Sequence, residues 1–299
     1  MIPVVPHSRV WFVLSGSLVA LAVLLLFVLG LKLGIDFTGG TLMEIHFQNP
    51  VEKSAFEGAL TSFGTDQQMD IGEPYVLRTT EGGFIVRIKD ITNEQHIALQ
   101  GSLEKQFGSY TETRFTTIGP TVGHTLKMRS LFALAVASLF IVLYIAFAFR
   151  DVPRKLSPWK FGIIAVIALL HDVLITIGSF TVIGLFTSFE ANTLFVSALL
   201  IVLGYSVSDT IVIFDRVREN TISQQRGEEF AQIAERSLQQ SMTRSINTST
   251  CTLLPLFALA VFGSESIRWF VLTLIIGIVI GTYSSIFLAT PMLVYWRKR

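Results

Sequence analysis

The chain has 299 residues, 51% of them apolar and 15% charged, where an average soluble protein carries about 25% charged residues. So little polar surface excludes an ordinary water-soluble globule and makes membrane the expected class. The net charge of +1 says little by itself, but the basic residues form no stripe of the kind that binds nucleic acid, and one cysteine, Cys251, allows no intrachain disulfide.

The first apolar run, Val10 to Leu31, follows a short basic start at Arg9. It is too long for the apolar core of a signal peptide and lacks a small-residue cleavage pattern, so a retained first span is expected. Gly34-Ile35-Asp36-Phe37-Thr38-Gly39-Gly40-Thr41 follows directly. Three glycines around one acid predict a tight turn from span to strand, with Asp36 bonding exposed amides.

The stretch 32–129 alternates strand and helix patterns of ordinary length. Thr41 to Gln48 alternates as a strand, and Val51 to Phe63 sets Val51, Ala55, Ala59, Leu60 and Phe63 on one helical side. Tyr75 to Thr79 and Phe84 to Lys89 form a predicted hairpin around Glu81, Gly82 and Gly83, with Phe84, Val86 and Ile88 on one face. Asn93 is expected to cap a second helix reaching about Phe107, and Tyr110 to Thr117 supplies a last strand. The order β-α-β-β-α-β is the split βαβ, or ferredoxin-like, arrangement, a common superfold that says little about function.

Five further segments approach the roughly 20 apolar residues needed to cross about 30 Å of hydrocarbon. They are Ser130 to Phe149, Phe161 to Phe186, Asn192 to Phe214, about Ser241 to Phe262, and Trp269 to Trp296. The first half of the fifth span is rich in Ser, Thr and Asn, which is tolerable where it faces protein. Cys251 is expected to be a small packed side chain within it. Arg150, Arg154, Lys155 and Lys160 lie between the second and third spans; Arg216, Arg218, Arg226 and Arg236 lie between the fourth and fifth; Arg297, Lys298 and Arg299 end the chain. The other short connections carry only Glu190, and Glu265 with Arg268. The bias places both termini in the cytoplasm and segment 32–129 outside. The predicted organisation is residues 1–31 for the N-terminus and first span, 32–129 for the outer domain, and 130–299 for spans two to six.

Ionisable groups inside spans are costly, so each is a functional candidate. Asp209 sits late in the fourth span, Arg244 near the start of the fifth, and His171 with Asp172 near the middle of the third. Their depths differ by at most about one turn, so three adjacent helices are expected to gather them into one buried polar cluster. Burial and a neighbouring guanidinium act on a carboxyl in opposite directions, while the guanidinium stays charged. That combination suits a carboxylate that takes up and gives back a proton. A structural ion pair is the alternative. Asp215 and Arg216, just past the fourth span, are expected to be interfacial. Walker loops, nucleophile elbows and His/Cys metal clusters are absent from the sequence, so neither enzymatic chemistry nor a cofactor or metal is expected.

The glycine motif after the first span, Leu170-His171-Asp172-Val173, Gly204-Tyr205-Ser206-Val207-Ser208-Asp209-Thr210 with Phe214-Asp215-Arg216, and Thr243-Arg244-Ser245 together resemble the SecF branch of the SecD/SecF family. The likeness covers essentially the whole chain and departs at Ser208, where the family often has Asn. It implies a bacterial inner-membrane protein of the RND superfamily: an all-α six-span bundle, half of a pseudo-two-fold pair with SecD, carrying one periplasmic α+β ferredoxin-like domain between helices 1 and 2. It further implies that Asp209 and Arg244 lie on a proton pathway, with Asp172 and His171 as further candidates, and that Gly34, Asp36, Gly39 and Gly40 form the motif after the first span. The implied role is use of the proton motive force to promote preprotein translocation and release. The implied partners are SecD, the SecYEG channel with SecA, YajC, YidC, unfolded preprotein and the lipid bilayer.

Two rivals remain on the residues alone. An RND-type transporter half for small molecules would need a midplane substrate site, and six spans with one acid-base pair look like half of such a machine. An intramembrane aspartyl protease would need Asp172 and Asp209 to share a proton, and Arg244 opposes that by holding Asp209 ionised.

Overall fold

A computed structural model describes residues 3–79, 82–150, 158–223 and 228–297. Arg154, Lys155, Arg226, Lys298, Arg299 and the hairpin residue Glu81 lie outside the described residues. In chain order, a 3-10 turn (Val5–His7) leads into α1 (Ser8–Leu29). Next come α2 (Ile35–Thr38), β1 (Gly40–Phe47), α3 (Lys53–Asp66), β2 (Tyr75–Arg78), β3 (Phe84–Ile88), α4 (Asn93–Phe107) and β4 (Tyr110–Ile118). The long helices α5 (Pro120–Ala148), α6 (Pro158–Phe186), α7 (Thr193–Ile222), α8 (Phe230–Phe262) and α9 (Glu265–Ser284) follow, and a π-helical turn (Ser285–Ala289) continues α9 into α10 (Thr290–Arg297). The chain divides into two compact units, Leu33–Ser130 and Met1–Lys32 with Leu131–Arg299.

The Leu33–Ser130 unit is built on one antiparallel sheet of order β2-β3-β1-β4. Strand alternation sends Met43 and Ile45 of β1, Val76 of β2, and Phe84 and Val86 of β3 to one face, each about 1% exposed or less. Phe56, Leu60, Leu99 and Leu103 from α3 and α4 join them in one apolar core. Two local expectations need correcting. On α3 the buried side is Phe56, Ala59, Leu60, Phe63 and Gly64, while Ala55 is exposed. The phenylalanine, with more apolar surface to hide, sets the phase that the alanine was expected to share. On α4 the cap is Thr92, one residue earlier than Asn93: its hydroxyl accepts from the Gln95 amide, and the Gln95 side chain accepts from the Thr92 amide. That reciprocal pair satisfies two helix-end donors at once.

The glycine motif winds into the single turn α2, with Asp36 in it, and then turns at Gly39 (φ +76°) and Gly40 (φ +118°). A side chain is barred there twice over. The backbone is in the region that glycine alone enters freely, and a Cβ on Gly39 would lie 2.9 Å from Pro120 Cα.

The other unit contributes to six helices long and apolar enough to cross a membrane, among the described residues. Several begin earlier than the apolar runs. α5 starts at Pro120, where proline's fixed φ suits a first turn, and α8 starts at Phe230, eleven residues before the expected Ser241. The polar half of α8 is helical because its small hydroxyls point inward: Ser237, Ser241, Ser245 and Ser249 recur every fourth residue and all are buried. Pro255 interrupts the hydrogen bonding of the same helix. Cys251 is exposed on it, contrary to the packed position expected, because it projects away from that serine row. Asp215 and Arg216 are exposed, and they pair along the α7 surface with Arg218 and Glu219 respectively.

Helices α6, α7 and α9 form the centre of the bundle, while α1, α5 and α8 are mostly peripheral. The α7–α9 approach is close because Gly277-Ile278-Val279-Ile280-Gly281 puts two glycines against α7. A Cβ on Gly277 would overlap Val202, and one on Gly281 would lie 2.9 Å from Ser206 Cβ. Small residues four apart let backbones meet where lipid gives no hydrophobic drive to association.

Candidate functional site

The four ionisable residues expected in one cluster are divided between two centres. The first is Asp172 on α6, fully buried. Its Oδ1 lies 2.9 Å from His171 Nδ1, and its Oδ2 accepts from Ser206 Oγ of α7 at 2.5 Å and from Ser284 Oγ of α9 at 2.8 Å. Both carboxylate oxygens are therefore bonded, which is what a carboxylate in such a place requires. His171 is only 4% exposed, and its Nε2 has no hydrogen-bond partner among the described residues. Its ring stacks on Tyr283, with centroids 6.1 Å apart, and Tyr283 Oη lies 3.0 Å from Ser15 Oγ of α1.

The second centre is Asp209 on α7, half-buried. Ser245 Oγ of α8 donates to Oδ1, whereas Oδ2 is buried with no partner among the described residues. Arg244 precedes that serine, and its charge acts on Asp209. No ion pair joins the two among the described residues. Arg244 is exposed on α8, since consecutive helical residues point about 100° apart and it is Ser245 that faces α7. One buried cluster containing a closed Asp209–Arg244 pair is thus replaced by a complete centre at Asp172 and an open one at Asp209.

The open centre is chemically the more available. A carboxylate oxygen with no donor lacks compensation for its lost hydration, and a guanidinium on the outward face of a helix apolar enough to cross a membrane is costly in lipid unless something covers it. A proton or a water would meet the first need, and a group from another chain the second. Among the described residues, no group of three or more His, Cys, Asp or Glu is placed to hold a metal ion.

Sequence reasoning passed over the hydroxyls that hold these carboxylates. Ser245 and Ser249 were legible as part of the four-residue spacing on α8. Ser284 and Ser285 carried no such signal. Tyr205 Oη donates to Ser249 Oγ at 3.2 Å, and Ser249 Oγ lies 2.6 Å from Thr282 Oγ1, so the hydroxyl network spans α7, α8 and α9.

Comparison with known proteins gives a consistent match. Residues 99–299 match the model of the protein export membrane protein SecD/SecF C-terminal family, and residues 24–51, which include Gly39 and Gly40, match the SecD/SecF GG motif. A protein translocase subunit SecF from Thermobaculum terrenum is 42% identical, covering 100% of this chain and 95% of the relative. One from Sebaldella termitidis is 38% identical over 97% of this chain and 90% of the relative. The crystal structure of SecDF, a translocon-associated membrane protein from Thermus thermophilus, superposes with a TM-score of 0.84 at 30% identity. That superposition covers 99% of this chain and 38% of the SecDF chain, so the present chain corresponds to a little over a third of that longer polypeptide.

Proposed function

The chain belongs to the SecD/SecF protein-export membrane protein family, and from that premise we propose that it is the SecF subunit of a SecDF complex that uses the proton motive force to promote preprotein translocation and release. The observation that carries the reading is the open centre. Asp209 has one oxygen held by Ser245 and the other buried without a partner, beside an arginine that faces out of this chain.

In the cycle we envisage, ionised Asp209 draws Arg244 and its helix toward α7. Protonation of the carboxylate cancels that attraction, α7 and α8 repack, and release of the proton on the opposite side resets them. Each proton brings about 2.3 kcal/mol per 100 mV of membrane potential. SecD supplies the group that covers Arg244 and completes the site. Asp172 and His171 belong to the same pathway as its inner centre. The GG-motif residues Gly34, Asp36, Gly39 and Gly40 form the tight turn that leads into β1.

The proposal extends to topology. Both termini are cytoplasmic, residues 1–31 and 130–299 form the bundle, and residues 32–129 form a periplasmic ferredoxin-like domain between the first two spans. The element order and the strand order β2-β3-β1-β4 support that arrangement. On the periplasmic side the domain meets emerging unfolded preprotein. SecYEG with SecA supplies the substrate, and YajC and YidC are further partners.

The test is reconstitution of the SecDF complex with SecYEG and SecA in vesicles, reading proton flux and protected preprotein together. Asp209→Asn and Arg244→Met are each expected to abolish the stimulation that depends on the proton gradient, while SecD still co-purifies. Full stimulation in Asp209→Asn would falsify the reading.

A further inference from the structure

Successive residues of a regular helix lie about 100° apart, so neighbours ordinarily serve different surroundings. Ser284 and Ser285 are both fully buried, and each bonds a different helix. Ser284 Oγ donates to Asp172 Oδ2 on α6, and Ser285 Oγ lies 2.8 Å from Thr210 Oγ1 on α7. The winding changes between them, since α9 ends at Ser284 and a π-helical turn begins at Ser285. Its wider winding accommodates one residue more than an α-turn, and such turns are frequent at functional sites. Thr290 Oγ1 donates back to Ser285 O at 3.1 Å, five residues away.

The hydroxyls have alternative acceptors. Ser284 has one proton to donate and two acceptors in reach, Asp172 Oδ2 at 2.8 Å and Gly281 O at 3.1 Å. Ser285 reaches the same Gly281 O at 2.9 Å, Ser206 O at 3.4 Å, and Thr210 Oγ1. With Asp172 ionised, Ser284 donates to the carboxylate and Gly281 O is left to Ser285. A proton taken up on Oδ2 makes Asp172 a donor toward Ser206 or Ser284. Ser284 then directs its hydrogen to Gly281 O, and Ser285 is displaced toward Thr210, the residue next to Asp209. Only the proton gained by Asp172 enters the balance; every other change is the rotation of an O–H.

Resting on the proton-driven reading above, we propose that Ser284 and Ser285, at the junction of α9 and the π-helical turn, are positioning residues that couple the proton occupancy of Asp172 to that of Asp209. The titratable and charged groups around the two carboxylates are His171 beside Asp172, Tyr283 stacked on His171 from α9, and Arg244 acting on Asp209 from α8. α1 brings the neutral hydroxyl of Ser15. Among the described residues both contacts of Asp172 Oδ2 lead to α7: Ser206, one turn before Asp209, donates to it directly, and Ser284 donates to it while its neighbour Ser285 bonds Thr210, the residue after Asp209.

The test is an infrared pH titration of the whole SecDF complex carrying carbon-13 aspartate, with Asp209→Asn and Asp172→Asn assigning the two carboxyl bands. Asn at 172 mimics the protonated side chain, so Asp172→Asn is expected to displace the Asp209 midpoint by about one pH unit, the scale at which two sites count as coupled. In a Ser285→Ala background the displacement is expected to vanish, and Ser285→Thr is expected to restore it. A structural role for Ser285 alone predicts equal displacement with and without its hydroxyl, and that result overturns the proposal. Should Asp172→Asn fail to assemble with SecD, Ser284→Ala takes its place, and an Asp209 midpoint unmoved by it overturns the proposal equally. If Asp209 does not titrate at all in the native complex, the proton-driven reading itself falls; if it titrates but ignores position 172, only the coupling does.

Discussion

The two compact units solve burial in opposite ways. The Leu33–Ser130 unit hides Phe56, Phe84, Met43 and Leu99 and shows charge to its surroundings, whereas the bundle shows Phe140, Phe147, Leu254 and Phe262 and hides Asp172, Ser206, Ser245, Ser284 and Ser285. In water the gain lies in removing apolar area. In hydrocarbon that gain is absent, so the bundle interior is free to be specified by hydrogen bonds and close backbone contact. The same residue type therefore has different weight in the two units, and substitution at matched residues measures the difference.

The largest effect is expected for Phe56→Ala, at about 3–5 kcal/mol, the usual result of emptying a fully buried phenylalanine site. Hydrogen exchange of the β3 and α3 amides in the intact protein reads it. The counterpart Phe140→Ala, on an outward face of α5, is expected to change stability by less than about 0.5 kcal/mol; equal losses at both positions would break the contrast. Next comes Asp172→Ala, which strips an acceptor from His171, Ser206 and Ser284. At about 1–3 kcal/mol for each buried donor left unpaired, and with Gly281 O available to Ser284, thermal unfolding of the bundle is expected to fall by roughly 2–4 kcal/mol. Asp172→Asn, which keeps an oxygen in place, is expected to cost less. A bundle insensitive to both would mean that its interior polarity is incidental.

Smaller effects sharpen the water-facing side. Thr92→Ala is expected to cost about 1 kcal/mol through the lost cap, seen as faster exchange over the first turn of α4. Smallest is a pH effect at Asp70. The hydrogen bond from Lys89, then the Gly72 amide and the Lys89 charge, hold this carboxyl below its ordinary value. A lowered folded value means the contribution is present above the unfolded value near 3.9 and is lost as pH falls through the folded one. Exchange at Gly72, corrected for its intrinsic pH dependence, is expected to quicken at acid pH in the native chain and not in Asp70→Asn.

What was legible in the sequence follows the same division. Phe84, Val86 and Ile88 announce their face by period alone, because a strand's alternation is strict and local. On α3, Ala59, Leu60 and Phe63 were placed on the buried side as found, and only Ala55 was put there in place of Phe56, because alanine carries little apolar surface with which to indicate a side. Inside the bundle, it was readable from the apolar runs that Asp172, Asp209 and Arg244 lie on long apolar helices, although α8 begins eleven residues before its run and so sets Arg244 well inside the helix. Which of them meet was not: Asp172 is held by residues 34 and 112 positions away, and a sequence of mostly apolar helices does not state which neighbours face each other. Ser284 and Ser285 were hidden for a further reason, since the π-helical turn breaks the period on which a helical face is read.

Pro255 has a mechanical meaning for α8. Proline has no amide to give, so the Cys251 carbonyl one turn earlier lacks its rung and the ring crowds the backbone beside it. Below that level run the four inward serines, the partner of Asp209 among them; above it the helix is a plain apolar rod ending at Phe262. The long helix thus has one weakened rung between its serine-bearing arm and its apolar arm, and that is where bending costs least.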